Sequence, residues 1–219
     1  MARRCDVIFP CKDEAAAIPA LLALVPAGFG IIVVDNASVD DTAEVAKGCG
    51  ARVVYEPVAG YGAAVQAGVE ASAADYVAIM DGDGSMDPRE LTGLLDAVVV
   101  GGATMATGRR RPVQAGVWPW HARAANAVVL WWLRRRTGLL VRDIAPMRVC
   151  RREDLLALDV RDRRFGYPVE LLVKAQVAGW VLTEVEISYR PRATGTRSKV
   201  SGSVRGTVRA ARDFARVLL

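Results

Sequence analysis

Histidine is almost absent from this chain: His121 is the only one in 219 residues. That scarcity argues against a zinc centre, because Cys5, Cys11, Cys49 and Cys150 also lack any C-x-x-C spacing. The cysteines read as reduced structural thiols of a cytosolic protein. No apolar run reaches the roughly 18 to 20 residues that a membrane-spanning helix needs. The first residues, Met1-Ala2-Arg3-Arg4-Cys5-Asp6, carry no apolar segment of the kind a secretory signal requires. Internal repeats and low-complexity linkers are missing too. One further absence is local: no carboxylate lies between Asp96 and Asp143, the stretch that holds Arg109, Arg110, Arg111, Arg123, Arg134, Arg135, Arg136 and Arg142.

With 52% apolar residues, a chain of 219 buries a full core. Its net charge of +5 conceals a polarity. Residues 1–96 carry 15 Asp and Glu against 6 Lys and Arg, a net of −9, and residues 97–219 carry 9 against 23, a net of +14. A basic half of that kind suits phosphate, whether on nucleic acid, an anionic membrane face or a phosphorylated substrate. No RRM, KH or zinc-finger signature accompanies the arginines, so nucleic acid is not the expected partner.

Short apolar runs alternate with helical patterns in the first half, which predicts βαβ units and a mostly parallel sheet. The strands expected are Asp6–Pro10, Ile31–Asp35, Arg52–Glu56, Tyr76–Asp81 and Thr104–Gly108, with helices over 14–25, 40–49, 61–73 and 87–100. Asp40 and Asp41 suit the cap of the second helix. Residues 121–136 read as a helix around Trp131 and Trp132 that ends on Arg134-Arg135-Arg136. Core burial is expected there, with a place at a membrane interface as the alternative. Arg205, Arg209, Arg212 and Arg216 line one face of a basic amphipathic helix over 201–219.

The chemistry concentrates at Asp81-Gly82-Asp83, which ends the run Tyr76 to Met80. Ligands of open α/β sheets bind at the C-terminal ends of strands. Two carboxylates there offer hard oxygen ligands to a divalent cation that keeps water and diphosphate oxygens in its remaining positions. A solvated turn is the plain alternative. Gly60-x-Gly62 opens a helix, where glycine lets a ligand approach the backbone. Val65 stands where a dinucleotide fingerprint needs glycine, so a dehydrogenase fits poorly.

The ordered set Val7 to Glu14, Val33 to Thr42, Gly60-Tyr61-Gly62-Ala63-Ala64 and Asp81-Gly82-Asp83 resembles the family 2 glycosyltransferases of GT-A fold. It is closest to their polyprenyl-phosphate (dolichol-phosphate) hexosyltransferase branch. The resemblance continues through Gly108-Arg109, Arg123 with Asn126, Asp143 to Arg148, Glu170 and Gly195 to Lys199, and so spans nearly the whole chain. It implies one catalytic domain: residues 1–110 for the nucleotide sugar, 111–200 for the acceptor, and the helix 201–219. It also implies donor contacts from Pro10, Lys12, Glu14, Asp35, Gly60, Gly62 and Glu170, and a Mg²⁺ or Mn²⁺ ion on Asp81 and Asp83. Arg109, Arg123, Arg197 and Lys199 would bind phosphate, Arg110 and Arg111 being solvated, and Asp143 would act as a base or orient the acceptor.

The sequence departs from the branch in two places. Ser85 replaces a glutamine common there, and Ala145-Pro146-Met147 replaces a Ser-Gly-Phe run. The activity implied is metal-assisted, inverting transfer of a hexose from a GDP- or UDP-sugar to a polyprenyl phosphate. It would take place in the cytoplasm, at the inner face of the plasma membrane. The same donor chemistry on a soluble or non-prenyl lipid acceptor, or a catalytically degenerate nucleotide-binding module, are the alternatives. Several members of the branch carry C-terminal membrane helices, and this sequence holds no such segment.

Overall fold

The apolar runs of the first half become parallel strands: β1 (Cys5–Cys11), β2 (Phe29–Asp35), β3 (Arg52–Tyr55) and β4 (Tyr76–Ile79). Three more follow: β5 (Met105–Pro112), β6 (Arg148–Arg151) and β7 (Leu182–Tyr189). The computed structural model describes residues 4–144 and 146–194 and joins all seven strands in one sheet, ordered β3-β2-β1-β4-β6-β5-β7. Only β6 runs antiparallel to its neighbours β4 and β5, while β5 and β7 pair in parallel. The sheet is therefore mostly parallel and α/β, as the alternating pattern predicts. Arg197, Lys199 and the helix expected over 201–219 lie outside the described residues.

Among the described residues seven helices connect the strands: α1 (Ile18–Leu22), α2 (Thr42–Gly48), α3 (Tyr61–Ala71), α4 (Leu91–Val99), α5 (Trp120–Thr137), α6 (Arg152–Ala157) and α7 (Tyr167–Val177). The period of 2 in β1 divides the core between two layers. Val7, Phe9 and Cys11 pack on one face of the sheet with Ile18 and Leu21 of α1 and Leu91 and Leu94 of α4. Ile8 points to the other face, among Val65 and Val69 of α3, Leu171 and Leu172 of α7, and Leu133 of α5. All four cysteines are free thiols, and Cys5, Cys11 and Cys150 are buried.

Several expected boundaries move for local reasons. The helix expected over 14–25 shrinks to α1, because Pro19 belongs in a first turn and Glu14 to Ala17 form a separate turn before it. Residues 88–90 form a 3-10 turn capped by the Asp87 carboxylate, which accepts from the Arg89 amide at 3.0 Å, and α4 begins only at Leu91. Asp40, not Asp41, supplies the side-chain bond to the start of α2, accepting from the Thr42 amide at 3.0 Å. β4 stops at Ile79, so Met80 and Asp81 lead out of the sheet toward its open end. The arginine run 109–111 is strand, not solvated loop, because β5 extends to Pro112 beside β7.

The largest correction concerns α5. Its span is within a residue of the expected 121–136 at each end, but only one face packs on the core: Val129 and Leu133 are buried, and Leu130 and Trp132 are partly buried against it. Trp120, Val128 and Trp131 are exposed, and they share the opposite face with Ala124 and Ala127. The helix ends on Gly138 in the left-handed conformation (φ 74°), with Arg134, Arg135 and Arg136 in its last turn, where cations meet the negative end of the dipole.

One close contact holds the two halves of the sheet's upper edge together. A methyl group placed on Gly62 would sit 2.3 Å from the Asp162 carbonyl oxygen, and one on Gly60 would sit 2.1 Å from that of Arg163. The Gly62 and Ala63 amides, orphaned at the start of α3, donate instead to the carbonyls of Arg164 (3.1 Å) and Arg163 (2.9 Å). Gly62 thus admits the protein's own backbone, where the sequence suggested a ligand; Gly60 does the same and also lines the cleft described below. Gly62→Ala is expected to lower stability by about 1–3 kcal/mol, as measured by urea unfolding. An unchanged midpoint would contradict this packing.

Candidate active site

Three loops at the C-terminal ends of β1, β2 and β4 build an acidic cleft of about 690 Å³. The loops after β1 and β2 are stitched together by short polar side chains. Asp13 adopts a left-handed conformation (φ 52°), as does Ala37 (φ 55°). Such strain persists where surrounding bonds fix the chain. Here the Asp13 amide donates to Ser38 Oγ at 3.0 Å, the Val39 amide to Asp13 Oδ1 at 2.8 Å, and the Glu14 amide to Thr42 Oγ1 at 2.9 Å. Asn36 ties in the loop before α3: its side-chain nitrogen donates to the carbonyls of Glu56 (3.0 Å) and Val58 (2.8 Å), and its oxygen accepts from the Gly60 amide at 2.8 Å. Asn36 lies within the Val33–Thr42 motif read from the sequence, directly after the strand-ending Asp35, but the motif alone gave it no role.

Asp81 and Asp83 stand on the floor of this cleft, and Pro10, Lys12, Glu14 and Gly60 line it with them. Gly82 between them is required by packing, since a methyl there would lie 2.3 Å from Cys11 Sγ. Asp83 is buried; its Oδ1 accepts from the Ser85 amide at 2.9 Å and its Oδ2 pairs with Arg192 Nη1 at 2.7 Å. Asp81 keeps part of its surface open to the cleft. Burial, and then the neighbouring Asp83 charge, raise its carboxyl to about 7, against the pull of Arg192, Arg110 and Arg148.

A second cavity, of about 500 Å³, is lined by Arg109, Arg110, Arg111, Arg123, Arg142 and Asp143, with Trp118 and Gln114. The alternation of β5 sorts its arginines. Arg109 and Arg111 reach toward Glu186, Arg109 at 3.8 Å. Arg110 turns inward, a correction to its expected solvation. Its guanidinium lies 4.1 Å over Trp118 and 5.3 Å over Tyr189, and grips the buried Asp143 carboxylate at 2.9 and 2.6 Å. The Arg110 amide adds a bond to Asp143 at 2.9 Å. A carboxylate held this way positions the arginine side chain, with three of its lone-pair sites engaged. Asn126 of α5 fixes the same loop by accepting from the Ile144 amide at 3.0 Å.

Other expected residues serve the site from outside it. Asp35 does not line the cleft; its carboxylate accepts from the Ser38 amide at 3.0 Å and shapes the loop that Asn36 carries. Glu170 accepts from the amides of Arg161 (2.9 Å) and Asp162 (2.6 Å) and pairs with Lys174 at 3.1 Å. It thereby anchors the 161–166 loop whose Arg164 and Phe165 do reach the cleft. Gly62 packs behind the wall as described. Arg164, Phe165 and Arg192 are cleft residues that the sequence reading did not single out.

The acidic tip suits a divalent cation. Among the described residues no group of three or more His, Cys, Asp or Glu is placed to hold a metal ion. The protein would then supply two carboxylates and leave the other positions to water and phosphate, as Mg²⁺ and Mn²⁺ commonly accept. A cation bound at this tip would favour the ionised form of Asp81, which burial and the Asp83 charge otherwise disfavour.

Comparison with known proteins identifies the class. The sequence profile described as Glycosyl transferase family 2 matches residues 6–151. An uncharacterized glycosyltransferase of Mycobacterium tuberculosis (strain ATCC 25618 / H37Rv) is 55% identical over 212 residues, which cover 97% of this chain and 96% of that one. Polyprenol monophosphomannose synthase of Mycolicibacterium smegmatis is 32% identical over 220 residues, covering 92% and 82%. The crystal structure of M. tuberculosis glucosyl-3-phosphoglycerate synthase with Mn²⁺, UDP and glucosyl-3-phosphoglycerate shares the fold. Its TM-score is 0.76 over 99% of this chain and 79% of that one, at 22% identity. The chain belongs to glycosyltransferase family 2, and its α/β sheet is that of the GT-A fold.

The raised Asp81 carboxyl makes the metal-free fold pH-dependent. The folded state keeps a proton that the unfolded chain releases above about 3.8, so stability from this group is lost as pH rises from there to about 7. Asp81→Asn, which cannot ionise, is expected to melt about 2–4 °C above wild type at pH 8, with the gain shrinking toward pH 5. Melting curves at the two pH values check this, and an equal difference at both would count against it.

Proposed function

We propose that the enzyme transfers a hexose, with inversion, from a GDP- or UDP-sugar to a polyprenyl phosphate. The observation that carries this reading is that one arginine links the two cavities electrostatically. Arg110 belongs to the wall of the arginine-lined cavity and also acts electrostatically on Asp81 in the acidic cleft. A donor diphosphate over the acids and an acceptor phosphate among the arginines would therefore meet across one side chain. The similarity to polyprenol monophosphomannose synthase supports the prenyl acceptor.

In this reading Asp81 and Asp83 hold Mg²⁺ or Mn²⁺, which when bound offsets charge that builds on the departing nucleoside diphosphate. Lys12, Glu14 and the loops pinned by Asn36 flank the nucleotide. Arg109 and Arg123 orient the acceptor phosphate, and Asp143 keeps Arg110 aimed. A phosphate oxygen forms the new bond to the anomeric carbon. The carbon–oxygen bond to the diphosphate breaks on the opposite side, and its electron pair leaves with the nucleoside diphosphate. That nucleophile is already anionic at neutral pH, so the engagement of Asp143 by Arg110 removes nothing the reaction needs.

The exposed face of α5 supports delivery to a lipid surface. Trp120 is 80% exposed at the start of α5 and Trp131 63% near its end, where the Arg135 guanidinium lies 5.9 Å from its ring centre. Such a face suits the headgroup region of an anionic bilayer. No helix among the described residues is long and apolar enough to cross a membrane. A soluble phosphorylated acceptor is the second reading, favoured by the fold shared with glucosyl-3-phosphoglycerate synthase.

Three measurements test these statements. Asp83→Ala is expected to lower sugar transfer by about 100-fold or more while the circular dichroism stays native; undiminished turnover would remove the acidic tip from the reaction. With a radiolabelled nucleotide sugar and a lipid extract, label is expected in the organic phase, and label confined to water would point to the soluble acceptor. In liposome flotation the protein is expected to rise with anionic vesicles at low salt and to be released as salt screens the arginines. Trp120→Ala/Trp131→Ala should weaken flotation, and no binding at low salt would defeat the docking.

A further inference from the structure

Arg192 was not among the residues singled out by sequence, yet it reaches the centre of the acidic cleft. Its Nη1 lies 2.7 Å from Asp83 Oδ2, and the Asp83 side chain is only 4% exposed. The other oxygen of that carboxylate is already engaged by the Ser85 amide. The guanidinium therefore occupies the oxygen through which Asp83 would bind a cation. Arg192 itself is 31% exposed, so its side chain has room to turn within the cleft.

The backbone around it is held. The Arg190 amide donates to the Ser85 carbonyl at 2.8 Å, the Ala193 amide donates to the Asp83 carbonyl at 3.0 Å, and Arg190 pairs with Asp87 at 3.0 Å. Movement of Arg192 then requires side-chain rotation alone, with the chain on either side staying fixed to the 83–87 loop.

We propose that Arg192 is an exchangeable cation. It neutralises Asp83 until a divalent ion enters together with a nucleoside diphosphate, and then transfers its guanidinium to the diphosphate oxygens. Guanidinium binds phosphate bidentately, and a diphosphate brought to this floor lies within the cleft that Arg192 lines. The exchange links the two ligands. The bare ion competes with Arg192 for Asp83, whereas the diphosphate gives Arg192 an alternative partner and so strengthens ion binding, with the reciprocal effect required by linkage. The inference rests on the reading that Asp81 and Asp83 take a divalent cation.

Binding measurements without turnover test it. Mn²⁺ is titrated by electron paramagnetic resonance into wild type, Arg192→Gln and Arg192→Lys, alone and then with whichever of UDP or GDP wild type binds. Arg192→Gln is expected to bind Mn²⁺ alone roughly tenfold tighter and the Mn²⁺–nucleotide pair roughly tenfold weaker, the opposite signs that one ion pair traded for another demands. Arg192→Lys keeps the charge and lacks the fork, so it should hold Mn²⁺ alone near the wild-type affinity and still bind nucleotide more weakly. Melting curves establish that each variant is folded. Arg192→Gln that binds Mn²⁺ alone no tighter than wild type, or binds nucleotide unchanged, overturns the exchange. If wild type binds no Mn²⁺ even with both nucleotides, the cation site itself fails and the exchange fails with it.

Discussion

Burial of two carboxylates one residue apart is the constraint around which this molecule is arranged. Asp81 and Asp83 follow β4 at the open end of the sheet, where burial first and the Asp83 charge second raise the Asp81 carboxyl. Basic groups converge on that spot from distant parts of the chain: Arg110 from β5, Arg148 from β6 and Arg192 from the segment after β7. An acidic first half and a basic second half are how a single chain brings such opposing groups together. The basic second half thus supplies counter-charge to this floor.

Sheet topology turns that charge pattern into two neighbouring sites. β1, β2 and β4 present their C-terminal ends side by side, which gives the acidic cleft its loops. β6 enters antiparallel and places β5 beyond it, so the arginines at the end of β5 stand across from the acids without touching them directly. Arg110 lines the second of these sites, held by Asp143 and by the aromatic faces of Trp118 and Tyr189. Glu170, Asp35 and Gly62 act a step further out, by fixing the loops from which contact residues project.

Much of this was legible in the chain. The period-2 apolar runs marked β1 to β5, and Asp81-Gly82-Asp83, Lys12, Glu14 and Gly60 fall in the cleft because strand-end loops of a parallel sheet converge there. What escaped reading depends on partners remote in sequence. β7 carries Glu184 and Glu186 in place of a clean apolar alternation, and its strand identity comes from pairing with β5. Arg110 looks like its neighbours until strand alternation turns it inward, and Arg192 acquires meaning only from an aspartate more than a hundred positions earlier. The apolar content of α5 suggested burial, but composition does not reveal which face meets the core, and here the tryptophans at 120 and 131 face outward.

The central claim is that the paired acids hold a divalent ion against a nucleoside diphosphate. Crystals grown with Mn²⁺ and UDP or GDP, with diffraction recorded at the manganese absorption edge, test it most directly. The account predicts one strong anomalous peak within coordination distance of the Asp81 and Asp83 carboxylates and of the diphosphate oxygens. A bound nucleotide with the manganese peak elsewhere, or with none at that floor, would contradict it.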